Sequence, residues 1–183
     1  MKDDEREIKE TFENQKEEEF QWTQIPATEK ENYVLFHKRV FEEDLKHAER
    51  NFMEFPRWSI ISGYYCMHDL TKLFLAEKFN IKISSPEIHA KTITALEYHI
   101  NNEKLKAKII SLLREAKTLY FSSERLKEKT LPVLLKRGKQ ERGKAQYYSE
   151  DYSKRSESNS QKAYYFLENI VNPYVNLLRE LMK

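Results

Sequence analysis

Between Arg57 and Phe79 apolar side chains fall on nearly every face of a helix: Trp58, Ile60, Ile61, Tyr64, Tyr65, Met67, Leu70, Leu73, Phe74 and Leu75. A helix lying on a surface needs only one apolar stripe, so a segment apolar all round must be surrounded. It therefore predicts a helical bundle with Trp58–Leu75 at its centre, or a centre partly closed by a subunit contact. The remaining sequence agrees with an all-α fold, because 34% charged residues and five prolines favour long solvated helices over a sandwich with turn residues every 8–12 positions. Its 183 residues suit one ordinary domain. With three glycines (Gly63, Gly138, Gly143), there is no glycine-rich phosphate cradle, dinucleotide fingerprint or G-x-S-x-G nucleophile elbow.

The helices around that centre can be placed from caps and breaks. Thr28 with Glu31 reads as a capping box opening a helix whose apolar face is Val34, Phe41, Leu45, Ala48 and Phe52, and Pro56 ends it near Glu54. Ser85-Pro86 starts a helix through Ile88, Ile93, Leu96 and Ile100. Asn101-Asn102 separates it from a shorter one containing Leu105, Ile109, Leu112 and Leu113. A further helix over about Leu119–Arg137 contains Pro132, which either kinks it or opens a restart capped by Thr130. The serine-rich residues 149–160 read as a mobile loop. The last helix, capped by Ser158 with Gln161, buries Tyr164, Leu167, Ile170, Val171, Tyr174, Leu178 and Leu181, and Pro173 should bend it.

Charge divides the chain. Residues 1–22 carry nine acids and four bases, while residues 104–155 carry fifteen bases and six acids, within a net charge of +2. Residues 1–32 are therefore expected to form an acidic arm or a loosely docked thin helix, with Ile8, Phe12 and Phe20 as its few apolar points, ahead of a helical domain over 33–183. Cys66 is the only cysteine, no secretory signal is evident after Met1, and no apolar run approaches the 18 or so residues of a membrane span, so a cytoplasmic protein is expected.

Candidate chemistry is concentrated in Lys136-Arg137-Gly138-Lys139-Gln140-Glu141-Arg142-Gly143-Lys144-Ala145-Gln146-Tyr147-Tyr148. Five bases, two glycines and two tyrosines in thirteen residues supply cations for phosphates, close backbone approach and rings for stacking. The alternative is a solvated basic helix end that complements its own dipole. The five histidines (His37, His47, His68, His89, His99) include no i,i+3 or i,i+4 pair and read as isolated surface or half-buried residues without a metal. His68-Asp69 with Lys72 inside the most apolar helix points to structural pairing, with a functional site as the alternative. Cys66 reads as a small core residue.

The stretches Ser62–Lys78 (SGYYCMHDLTKLFLAEK) and Arg142–Tyr148 (RGKAQYY) resemble the HEPN domain family, in particular the prokaryotic members encoded beside minimal nucleotidyltransferases. The similarity runs from about Tyr33 to the C-terminus. It implies an antiparallel helical bundle, commonly dimeric, that binds RNA or a nucleotide, and it implies no cofactor. Many members are metal-independent ribonucleases with an arginine followed, four to six residues on, by a histidine. Here Arg142 is present, Tyr147 stands where that histidine would be, and no histidine follows Arg142. A tyrosine is protonated at neutral pH and is a poor general base. The expected site is thus a nucleic-acid-binding one made of Arg137, Lys139, Arg142, Lys144, Gln146, Tyr147 and Tyr148, in a homodimer. One alternative is a ribonuclease toxin in which Tyr147 or a distant His68 serves as the base, restrained by a nucleotidyltransferase-like antitoxin. A second is a helical protein-interaction module.

Overall fold

The computed structural model describes residues 22–84, 87–138 and 158–183, the side chains of 124–138 excepted. Five helices pack as a bundle: α1 (Ala27–Asn51), α2 (Pro56–Phe79), α3 (Ile88–His99), α4 (Glu103–Gly138) and α5, spanning residues 158–182. A short antiparallel pair, β1 (Thr23–Gln24) with β2 (Ile81–Lys82), fastens the entry to α1 against the exit of α2. The sequence carried scarcely any signal for it. The acidic residues 1–21 lie outside the description, as do Ser85 and Pro86 and the serine-rich residues 149–157.

The all-round apolar helix is the centre of the bundle, as expected. Every residue of α2 from Ser59 to Thr71 is buried except Tyr65, and α2 packs against α1, α3, α4 and α5. Trp58, at the periphery, is 49% exposed. Asn80 ends α2 in the left-handed conformation (φ 58°), which asparagine adopts more cheaply than most residues. Its backbone N–H bonds the Ala76 carbonyl, and its own carbonyl accepts from Ile25 N at 2.9 Å, so the helix stop and the β1–β2 pair form one unit. Gly63 lets α5 approach α2 closely. A Cβ there would lie 2.7 Å from Phe166 Cε1 and 3.0 Å from Val171 Cγ2, both side chains buried. Gly63→Ala should therefore cost about 2 kcal/mol in urea denaturation through overpacking; an unchanged midpoint would mean that the ring moves aside freely.

Several local expectations are corrected. The Thr28–Glu31 capping box does not form, because the helix already starts at Ala27 after Pro26, whose fixed φ suits a helix entry and which places Thr28 within the first turn. The two helices expected between Leu105 and Arg137 are one 36-residue helix, α4. The residues at the supposed junction, Arg114-Glu115-Ala116-Lys117-Thr118, contain no breaker, and the first four are good helix formers. The backbone also runs as helix through Thr130 and Pro132, so no restart occurs there. Asn102 does separate α3 from α4, with its side-chain oxygen accepting from Leu105 N at 3.0 Å as a helix cap.

In α5, Leu167, Ile170, Val171, Tyr174 and Leu178 are buried and Leu181 is partly so, but Tyr164 is 55% exposed. Ala163 holds the inward position of that turn instead. Just before Pro173, where a bend was expected, the helix has a π-helical turn over Leu167–Val171, in which Asn172 N bonds the Leu167 carbonyl five residues back. A single π turn adjusts the helix locally where proline cannot donate. Thr71 and Tyr174 join their hydroxyls between α2 and α5 within the core.

Candidate functional site

Polar groups placed on a buried helix must find partners, and α2 supplies two adjacent sets. The first is centred on Asp69, 7% exposed. Its Oδ1 accepts from His37 Nδ1 of α1 at 2.7 Å and from Lys72 Nζ one turn on at 3.2 Å. Burial pushes the carboxyl pKa up, but the His37 hydrogen bond and the Lys72 cation more than offset this and hold it below the usual carboxylate range. Tyr33 packs edge-on against the His37 ring at 4.3 Å, and burial raises its phenol to about 12. Asp44 is pushed to about 6, first by burial and then by the charge on Asp69.

The second set lies toward α3 and α4. His68, 2% exposed, bonds His89 of α3 through Nε2···Nδ1 at 2.9 Å, with ring centroids 4.2 Å apart. Tyr64, one turn before His68, meets it edge-on at 4.7 Å, lies 5.3 Å from the His89 ring, and stacks on Tyr120 of α4 at 4.4 Å. Burial lowers His68 to about 3, and the surroundings of His89, Lys72 and Lys117 push the same way. Burial also lowers His89, followed by the cations of Lys72 and Lys117. The Tyr64 phenol is raised by burial, then by Tyr120 and Tyr65. Both imidazoles are therefore neutral at physiological pH.

The histidines are thus mostly not isolated, contrary to the expectation from their spacing. His37 and His68 are buried, His47 Nδ1 meets Ser62 Oγ at 2.8 Å, and His99 packs among the rings of Trp22 and Phe79. Sequence separations of 32 between His37 and Asp69 and 21 between His68 and His89 hid these pairs. A partial signal was available: His37 stands midway between Tyr33 and Phe41 on the inward stripe of α1. Nothing comparable marked Lys117 or Tyr120. Among the described residues no group of three or more His, Cys, Asp or Glu could hold a metal ion. Cys66 is fully buried, and burial raises its thiol far above the reactive range, as suits the expected core residue.

The basic site expected from sequence falls on residues outside the description. Arg137 falls within the α4 backbone, but its side chain, together with Lys139, Arg142, Lys144, Gln146, Tyr147 and Tyr148, lies outside the described residues. A surface groove of about 680 Å³ is lined by Glu97 and by α4 residues from Glu103 to Thr118. Its charges are largely matched within the chain, with Arg114 on Glu97 at 3.1 Å, Lys106 on Glu103 at 2.8 Å and Glu115 accepting from Tyr165 at 3.0 Å. No described helix is long and apolar enough to cross a membrane. Comparison with protein-family models, with curated proteins and with solved structures finds no match.

Proposed function

We propose that this chain is a cytoplasmic, HEPN-like protein that binds RNA or a nucleotide through Arg142 and its basic surroundings, as a homodimer and without the usual arginine–histidine ribonuclease site. The observation that carries the reading is the segment 136–148, in which five bases, two glycines and paired tyrosines fall within thirteen consecutive positions of the sequence. A helical bundle organised around the buried α2 agrees with the fold that the resemblance implies. Dimerisation is supported by Trp58 and Tyr65, two large side chains that α2 leaves 49% and 40% exposed at a spacing of seven residues. Light scattering at high protein concentration should give twice the chain mass; a strict monomer overturns that part.

Labelled RNA, incubated with the protein at low and high salt, tests the central claim. Binding without cleavage is expected, and Arg142→Ala should weaken it and reduce the salt slope by about one unit, for one fewer released counterion. Tyr147→Phe should matter less, because the ring still stacks. Binding that ignores Arg142→Ala would favour an interaction module that uses the helices only for docking proteins.

A second reading, the ribonuclease toxin held by a nucleotidyltransferase-like antitoxin, draws on one observation: His89, half-buried and hydrogen-bonded to His68, is neutral near pH 7, the form in which an imidazole can act as a base, whereas His68, lowered to about 3, is a poor one. His68 is too buried to meet a substrate, so any proton transfer to it would pass through His89. Under this reading RNA is cleaved, and Tyr147→Phe or His89→Phe abolishes cleavage while binding persists.

A further inference from the structure

No further inference is drawn: the strongest candidate, the part-exposed aromatic row of Tyr65, Tyr120 and Phe121 on the surface where α2 meets α4, carries nothing beyond the face already proposed for dimerisation, because nothing in the structure shows what covers it.

Discussion

Asp69→Ala should destabilise the protein by about 3–5 kcal/mol at neutral pH, the usual cost of removing one partner from a buried, hydrogen-bonded charge pair. The carboxylate is 7% exposed, and its Oδ1 receives both His37 Nδ1 and Lys72 Nζ. Deleting it leaves a buried imidazole N–H and a half-buried ammonium without their shared acceptor. Asp69→Asn should cost less, since an amide oxygen still accepts from His37. Because the folded carboxyl lies below its ordinary pKa, its contribution is complete above the ordinary carboxylate range and is lost only as pH falls through the folded value. Urea denaturation at pH 7 measures both variants; a loss below about 1 kcal/mol for Asp69→Ala would place the pair in the class of solvent-screened surface bridges.

The Asp69 pair also shows what the sequence could and could not reveal. Position 69 stood out because a carboxylate in an apolar helix requires a partner, and Lys72, one turn on, supplied half of the answer from sequence alone. His37 could not be assigned, since the register of α1 against α2 is fixed by packing of Phe41 and Ala48 that no local pattern encodes. The same reason hid Tyr120, which reaches Tyr64 only because α4 continues without a break past Ala116. Amphipathic periodicity identified which segments are helices and which helix is central. It failed at residues 114–118, where two helices were expected and one runs through, and where two-residue strands, too short for any alternation to register, join the entry of α1 to the exit of α2. Segment 136–148 was legible for the opposite reason: its chemistry is contained in local composition and needs no tertiary register to be noticed.

Acidification should unfold the protein early, and His68 should be a leading cause. Its folded pKa of about 3 lies below the ordinary 6.5, so between those values the unfolded chain takes up a proton that the folded protein refuses. Stability therefore rises with pH across that window and is lost as pH falls, by about 3 kcal/mol between pH 7 and pH 4 at roughly 1.4 kcal/mol per unit. His89 acts with the same sign. Asp44 opposes both, because its folded carboxyl, raised to about 6, holds a proton that the unfolded chain has already released, and acidification through that range returns some stability. Asp44 is half-exposed, so solvent screening reduces its share. The raw pH profile mixes these effects, but a difference isolates His68. His68→Gln retains hydrogen-bonding capacity and removes the titration, so its loss of stability from pH 7 to pH 4 should be smaller than that of the unsubstituted protein by about 3 kcal/mol. Parallel profiles would mean that water reaches His68 and that the imidazole pair is not buried in solution.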